Sequence, residues 1–106
     1  MMKKTKDYTI PISDEDHLDI RLVIEAGKTV GFVLNLRCKI GDVWYQVYRV
    51  DTAHGYLHEQ RFWISPEPIA LIKHVPLEYV YDFYLNLIRE NFMKYRRFYI
   101  ERMGIK

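Results

Sequence analysis

The sequence has little of the residue types that mark secreted or membrane-bound proteins. Its 106 residues include one cysteine, five glycines and four prolines. Because the single Cys38 cannot form an intramolecular disulfide, a disulfide-stabilised scaffold is excluded and a reducing, cytoplasmic location is favoured. No apolar run approaches the roughly 20 residues of a membrane-spanning helix, so we expect no membrane association. The basic start of the chain leads into Asp7 rather than an apolar region, so we expect no signal peptide.

Apolar and aromatic residues, by contrast, are abundant. The chain is 49% hydrophobic and 15% aromatic, which excludes general disorder, and its length suits one domain, residues 1–106. A net charge of +2 is too small to imply a nucleic-acid partner by itself. Acidic residues cluster in 14–19 and basic residues in 89–106. We call residues 14–19 the acidic head and residues 89–106 the basic tail. Either the two segments pair with each other in the fold, or the basic tail contacts phosphate.

Two segments, 18–26 and 30–40, alternate apolar and polar residues, which is typical of strands that bury one face. To keep even-numbered residues of both strands on that face, the turn at residues 27–29 needs an odd number of residues. A two-residue turn at 41–42 then leads to a third strand, 43–50. This turn predicts Val43, Tyr45 and Val47 on the core side and Trp44, Gln46 and Tyr48 on the other side. A three-residue turn would reverse the orientation.

A fourth strand is predicted from about residue 56 to residue 64. Four consecutive antiparallel strands with short links form a meander, here a sheet over about 18–64. Prolines in 65–68 end it, since proline cannot donate to a strand ladder. The short apolar run 69–73 is either a fifth strand or a helical turn.

The C-terminal part of the chain predicts one long helix over about 76–103. Pro76 suits the first helical turn and Gly104 the end of the helix. The predicted fold class is therefore α+β, a four-stranded antiparallel meander packed against the C-terminal helix. At about 40 Å, the helix is longer than the strands and overhangs or bends. Its far end is buried by a second protein surface, as in a homodimer, or by the N-terminal segment. One apolar stripe at spacings of three and four supports the helix: Tyr81, Leu85, Ile88, Phe92, Tyr95, Tyr99 and Met103.

Polar chemistry concentrates in residues 49–62, between the third and fourth strands. His54 and His58 lie about 13 Å apart in an extended strand, too far to chelate one ion, so we expect no metal and no cofactor. Acid–base chemistry fits this segment better, because histidine titrates near neutral pH. Metal-independent RNA cleavage needs a base for the 2′-hydroxyl, an acid for the leaving oxygen and a cation for the phosphorane. We assign the acid and base to His54 and His58, and the cation to Arg49 or Arg61.

Four further residues are candidates for substrate binding. Tyr56 stacks on a base or donates a proton, and Asp51 orients a histidine or builds the turn. Arg96 and Arg97 on the helix contact phosphates. An ordinary explanation stands beside this one: a plain turn at 51–55, solvated ion pairs on the sheet and a charged helix face.

The run Arg49-Val50-Asp51-Thr52-Ala53-His54-Gly55-Tyr56-Leu57-His58, followed by a Phe four residues on, resembles the small TumE-like toxins of prokaryotic toxin–antitoxin loci. The resemblance covers about residues 43–64. It implies an RNA-directed toxin, or a catalytically quiet relative, neutralised by a helix-turn-helix antitoxin. This sequence departs from the pattern at Glu59-Gln60, where relatives often carry a further basic residue or histidine, and this weakens the cleavage interpretation.

The functional hypothesis is a toxin-like protein that cleaves RNA without metal, with the His54–His58 segment as its site. Two alternatives remain open. One is a non-enzymatic interaction module that binds a partner or a second copy through its sheet or helix. The other is a nucleic-acid-binding module that uses the C-terminal helix.

Overall fold

The protein is described here by a computed structural model that covers residues 2–52, 56–71 and 75–105. The described residues form one sheet of six strands, in which each strand pairs antiparallel with the next along the chain. The prediction of an α+β fold with an antiparallel sheet and a C-terminal helix is confirmed, but the prediction of four strands is wrong. The elements are β1 Lys3–Ser13, β2 Asp16–Glu25, β3 Lys28–Ile40, β4 Val43–Asp51, β5 His58–Arg61, β6 Ile69–Ala70 and α1 Leu77–Met103.

The two additional strands lie at the two edges of the sheet, which extends beyond the predicted 18–64. β1 pairs with β2 along its whole length, from Lys3 opposite Glu25 to Ser13 opposite Asp16. Its first seven residues are exposed, so neither face carries the apolar alternation that reveals a strand. β6 is two residues long and pairs with β5, so of the two alternatives for the run 69–73 the structure has the strand, at Ile69–Ala70. β1 leaves little signal in the sequence.

The turn between β2 and β3 differs from the predicted odd-numbered one. It has two residues, Ala26 and Gly27, with φ of 53° and 76°. A β-bulge restores the alternation, because Val23 pairs with Gly31 and Ile24 with Thr29, which leaves Val30 as the extra residue. The even-numbered residues of both strands therefore share one face, as the alternation requires.

A second bulge, at Val47 in β4, decides which side chains face the core. Leu36 pairs with Tyr48 and Arg37 with Gln46, so Val47 is an extra residue. Tyr45 before the bulge and Tyr48 after it both point to the core side. The predicted outward position of Tyr48 is wrong, because strict alternation does not continue through a bulge. The residues after Tyr48 change sides with it.

Helix α1 packs on β3 and β4. Pro76 occupies the N-cap position, one residue before the predicted first turn, and Gly104 ends the helix with a left-handed φ of 65°. The buried core forms between this helix and the even-numbered side chains of β2 and β3. It comprises Leu18, Ile20, Phe32, Leu34, Leu36, Cys38, Val47, Tyr48, Val50, Leu57, Val80, Tyr81, Tyr84 and Ile88.

The far end of the helix is covered by the same chain. The Tyr95 ring stacks on Tyr48, with centroids 5.0 Å apart, and the Tyr99 ring contacts Tyr45 at 5.5 Å. Neither contact involves the N-terminal segment, the intramolecular cover predicted for this end. Met103, the last helical residue, is 48% exposed. Tyr95 and Tyr99, at the far end of the apolar helix stripe, are thus packed against β4 of the same chain. A second protein surface was the other cover predicted for this end.

Candidate functional site

Only one face of the sheet is covered by α1. We call the opposite face the open face; no other described helix or strand packs on it. It is formed by odd-numbered residues of β1, β2 and β3 and, because of the Val47 bulge, by Arg49 and Asp51 of β4. His58 and Gln60 of β5 continue it, since they pair with Asp51 and Arg49. The bulge therefore places the predicted Arg49, Asp51 and His58 side by side on the open face.

These three side chains form a hydrogen-bonded group, which we call the Asp51 network. Arg49 Nε donates to Asp51 Oδ2, and His58 Nε2 lies 2.7 Å from Asp51 Oδ1. Asp51 is 1% exposed and His58 5% exposed, so the network is buried although it belongs to the open face. A buried carboxylate is tolerated only where it is paired, and here both of its oxygens are. Of the two roles predicted for Asp51, this contact corresponds to orienting a histidine.

The other edge of the His58 ring lies near Tyr56. His58 Nδ1 is 3.4 Å from the Tyr56 carbonyl oxygen, which is long for a hydrogen bond, and the two rings are 5.2 Å apart. A carboxylate only accepts, so Nε2 is the donor to Asp51, and a neutral ring keeps its lone pair on Nδ1. Asp51 and His58 also make contacts beyond these. Tyr56 is 46% exposed and borders the site.

Asp19 is the centre of a second polar group on the open face. It accepts from Arg37 at 2.5 Å, from Thr9 at 2.8 Å and from Asn35 at 3.3 Å. Burial raises the pKa of Asp19, but the hydrogen bonds from Arg37, Thr9 and Asn35 outweigh burial and hold this pKa below its ordinary value. Asp19 therefore stays ionised at neutral pH.

A depression of about 510 Å³ lies between these two groups. Arg21 stands on one side, 2.7 Å from Asp7, and Arg49 stands on the other. Its lining combines two guanidinium groups, two carboxylates and an amide with a small apolar part. The residues are Asp7, Tyr8, Thr9, Asp19, Ile20, Arg21, Val33, Asn35 and Arg49.

An aromatic group lies further along the open face. The His17 and Trp44 rings are 4.5 Å apart, and the Arg37 guanidinium lies 5.3 Å from the Trp44 ring centre. Trp44 is 37% exposed. This arrangement presents one ring face and one cation to solvent.

The helix-covered face of the same hairpin carries a different polar group, which we call the Glu59 network. Glu59 is 5% exposed, accepts from the Tyr48 hydroxyl at 2.5 Å and pairs with Arg61 Nε at 2.9 Å. Burial, reinforced by the hydrogen bond to Glu59, raises the pKa of Tyr48 far above its ordinary value. The predicted partnership of Arg61 with His58 in one site therefore fails geometrically, because a separation of three residues in a strand puts their side chains on opposite faces.

Helix residues surround the Glu59 network. Trp63 stacks on Tyr95, with centroids 5.2 Å apart, and both rings stack on Tyr48 of β4. Burial and then the Glu59 charge raise the pKa of both Tyr84 and Tyr95. The aromatic rings thus exclude water from a carboxylate that stays paired with Tyr48 and Arg61.

The two helix arginines predicted to bind substrate lie away from His58, on the other side of the sheet. Arg96 pairs with Glu15 at 2.7 Å and with Asp16 at 3.2 Å, and it donates to the Lys39 carbonyl at 2.6 Å. The acidic head and the basic tail thus meet at this residue. Arg97 is exposed and lies 3.9 Å from Glu101, one turn along the helix.

Among residues 2–52, 56–71 and 75–105, no group of three His, Cys, Asp or Glu side chains could hold a metal ion. Burial raises the pKa of the Cys38 thiol, and Asp16 raises it further, so the reactive thiolate is disfavoured. His54, predicted as the second acid–base residue, lies outside the described residues.

The sequence interpretation passed over several residues of these groups. Asp19, Arg37 and Asn35 were read only as the polar positions of alternating strands, and Glu59 only as a departure from a motif. A signal was available for the first three, because residues on the same face of neighbouring strands stack into rows once the register is known. The register follows from the turn lengths and bulges, which the alternation alone does not reveal.

The described residues contain no helix that is long and apolar enough to cross a membrane. Over residues 1–105 the chain matches a family described as a domain of unknown function, DUF7718, and it therefore belongs to that family. No curated protein and no solved structure matches the chain.

Proposed function

We propose that this chain, as a member of the DUF7718 family, is an RNA-directed protein that cleaves RNA without a metal ion. The single observation that carries the proposal is the Asp51 network, a buried histidine–carboxylate–arginine group on the face of the sheet that α1 leaves uncovered. A histidine oriented by a carboxylate, with a guanidinium on the same carboxylate, supplies the three kinds of group that RNA transesterification uses.

Each residue then has a defined role. His58 Nδ1 takes the proton of a ribose 2′-hydroxyl, the 2′-oxygen attacks the phosphorus, and the 5′-oxygen leaves with a proton from a second group, for which the sequence offers His54. Asp51 holds the His58 ring through Nε2 and stabilises the imidazolium that forms. Arg49 supplies positive charge for the phosphorane. Because His58 is 5% exposed, the substrate has to displace the groups that cover its ring, among them the Tyr56 carbonyl 3.4 Å from Nδ1.

The biological setting follows from the resemblance to TumE-like toxins. We propose that the chain is the toxin of a toxin–antitoxin pair, acts in the cytoplasm, and is neutralised by a helix-turn-helix antitoxin. Support for this setting is limited to the motif in residues 49–58 and the order of sheet and helix. Arg61, Arg96 and Arg97 play no part in the cleavage mechanism, because they project on the other side of the sheet from His58.

The test is RNA cleavage in the presence of EDTA by wild-type protein and by His58→Asn and His54→Asn variants. General acid–base catalysis contributes about 10²- to 10⁴-fold, so each variant is expected to lose at least about 100-fold in rate. His17→Asn is the matched control, since His17 also lies on the open face but contacts Trp44 rather than a carboxylate. Circular dichroism and thermal melts confirm that each variant is folded. Undiminished cleavage by both variants, or none by wild type, contradicts the proposal.

A second candidate, a non-enzymatic module that binds a second copy through α1, is supported by a specific group of exposed side chains. Met93 is 70% exposed and Met103 48% exposed, and a shallow groove of about 360 Å³ lies between Trp63 and Phe98. We propose Met103→Asp as its test, because Tyr99 packs on Tyr45 and its substitution would disturb the fold. A dimer in light scattering that Met103→Asp dissociates supports this candidate, and a monomeric wild type rejects it.

A further inference from the structure

The depression on the open face combines opposite charges in an ordered way. Arg49 and Arg21 stand on opposite sides of it, two strands apart and in neighbouring rows, because Arg21 pairs with Val33 on β3 and Arg49 pairs with Asn35. The carboxylates of Asp7 and Asp19 lie towards β1 and β2. A ligand that fills this space meets cations at two points and oxygen acceptors along one side.

The guanidinium of Arg49 has hydrogen-bonding capacity to spare. Its Nε donates to Asp51, and within the part of the chain that the structure describes this is its one hydrogen bond. A guanidinium has five N–H donors, so four remain at the Nη1 and Nη2 atoms that border the depression. The side chain is 33% exposed, which leaves it partly desolvated and held in place by Asp51. A fixed, partly buried guanidinium with spare donors is suited to a phosphate oxygen pair.

The opposite wall is suited to hydroxyl and amino groups. Asp7 accepts two hydrogen bonds from Arg21, which leaves about two of its four lone-pair sites for a ligand, whereas Asp19 already accepts four, two of them from Arg37. Thr9 and Asn35 add a hydroxyl and an amide. A simple anion would meet repulsion from the two carboxylates, and a simple cation would meet repulsion from the two arginines. A molecule with a phosphate at one end and donors at the other satisfies both walls.

The size of the depression sets a further limit. Its volume of about 510 Å³ lies within the range of roughly 300–1,000 Å³ typical of small-molecule sites. This is room for one nucleotide unit and not for a duplex. Through Arg49 the depression adjoins the Asp51 network, although neither Asp51 nor His58 is among its lining residues.

We propose that this depression binds one nucleotide unit, with its phosphate between Arg49 and Arg21 and its ribose hydroxyls on Asp7, towards β1. The inference rests on the proposed function in that it names the substrate subsite of the same centre. It makes Arg21 a substrate-binding residue although Arg21 has no contact with the Asp51 network. A free mononucleotide and a nucleotide within single-stranded RNA share this chemistry, and the experiment distinguishes these two sources.

The experiment measures binding by isothermal titration calorimetry to wild-type, Arg21→Gln and Arg49→Gln proteins. The probes are adenosine monophosphate, inorganic phosphate, adenosine and a short RNA with 2′-O-methyl groups that cannot be cleaved. Arg21→Gln is expected to weaken adenosine monophosphate binding about tenfold, and Arg49→Gln by about tenfold or more. Arg97→Gln is the control, because it removes the same charge from an exposed helix position on the other side of the sheet.

Arg21→Gln keeps the proposal testable if Arg49→Gln fails to fold, since Arg21 is 58% exposed. Equal binding of adenosine monophosphate to the wild type and to Arg21→Gln overturns the subsite. Inorganic phosphate that binds as tightly as adenosine monophosphate also overturns it, because the carboxylate wall would then contribute nothing. Weaker binding of the blocked RNA than of the mononucleotide assigns the site to free nucleotides, and the reverse assigns it to RNA; both support the subsite.

The outcomes separate this inference from the proposed function. If Arg21→Gln weakens nucleotide binding but the protein cleaves no RNA, the subsite is supported and the proposed ribonuclease activity is rejected. If RNA cleavage depends on His58 but Arg21→Gln does not change nucleotide binding, the ribonuclease activity is supported and the subsite is rejected.

Discussion

The hairpin of β4 and β5 carries two polar networks that share a plan and differ in surroundings. Each has an arginine, a buried carboxylate and a third group: Arg49, Asp51 and His58 on the open face, and Arg61, Glu59 and Tyr48 under the helix. Asp51 is 1% exposed and Glu59 is 5% exposed. Both carboxylates are therefore buried and paired, although only one of them is covered by α1.

The difference lies in what the third group can do. Tyr48 is enclosed by Tyr95 and Trp63, and its raised pKa keeps it protonated, so its hydroxyl only donates to Glu59. His58 stands on the uncovered face with one nitrogen on Asp51 and the other near a backbone carbonyl. The same plan thus forms a structural tie on one face and, on the other, the group to which we assign proton transfer in the proposed function. Burial of a carboxylate alone does not distinguish a candidate site from a structural pair.

The largest expected effect is that of Asp51→Ala on stability. This change leaves His58 and Arg49 without the carboxylate that pairs both, and breaking a buried pair in this way costs roughly 3–5 kcal/mol. Urea denaturation followed by circular dichroism measures the loss. Asp7→Ala is the control. The Asp7 side chain is 57% exposed and pairs with Arg21, so this variant is expected to lose at most about 1 kcal/mol of stability. Equal losses in the two variants would erase the distinction between buried and exposed pairs on the open face.

Tyr48→Phe is expected to have an intermediate effect. It removes the hydroxyl that donates to Glu59, and a hydrogen bond to a charged group contributes roughly 1.5–3 kcal/mol. The free energy of unfolding of this variant is compared with that of Tyr79→Phe, whose side chain is 65% exposed. RNA cleavage, where present, is expected to be unchanged in both variants.

A double variant sharpens this result. Tyr48→Phe combined with Glu59→Leu replaces both partners by apolar groups, which is often close to neutral, whereas Glu59→Leu alone leaves a buried hydroxyl unsatisfied. We expect the double variant to lose less stability than the sum of the single variants. Additive losses would show that Tyr48 and Glu59 are not energetically coupled.

The smallest expected effect is that of Asp19→Asn, and it depends on pH. The folded state lowers the pKa of Asp19, so the unfolded state binds the proton more tightly and ionised Asp19 stabilises the fold above the unfolded pKa of about 3.9. That contribution is lost as the pH falls through the folded pKa. Because the Asp19 side chain is 34% exposed, about 1 kcal/mol is expected at neutral pH after screening. Thermal melts of wild type and Asp19→Asn should converge once the pH has fallen below the folded pKa of Asp19; a gap that stays constant throughout acid titration contradicts this assignment.

Prediction from sequence succeeded where side chains alternate over a long stretch. Residues 18–26 and 30–40 became β2 and β3 because one face of each is apolar, and the helix stripe became α1. β1 went unrecognised because Lys3 to Thr9 are exposed on both faces. Alternation of apolar and polar residues reveals a strand that buries one face. It does not reveal a strand that pairs at the edge of the sheet with both of its faces exposed.

The candidate site was predictable in its residues but not in its grouping. Arg49, Asp51 and His58 stand out as polar residues between apolar strands, yet their common face depends on the bulge at Val47. One extra residue moves every later side chain of β4 to the other face. Nothing about a valine marks it as a bulge, so Tyr48 was placed outside the core. Arg61 was grouped with His58 for a different reason, because their positions in β5 were not compared, and a separation of three residues in a strand puts them on opposite faces.

The order of the strands has a consequence for how the chain folds. Every strand pairs with its neighbour in sequence, so each step of sheet formation closes only a short loop and costs little chain entropy. Topologies dominated by such short-range pairings fold faster than those that bring distant segments together. The slowest step should be the packing of α1 over β3 and β4, which brings the C-terminal helix back onto strands from the middle of the chain. Variants of the helix–sheet contact, such as Tyr48→Phe, are therefore the ones in which folding rate and stability are best compared.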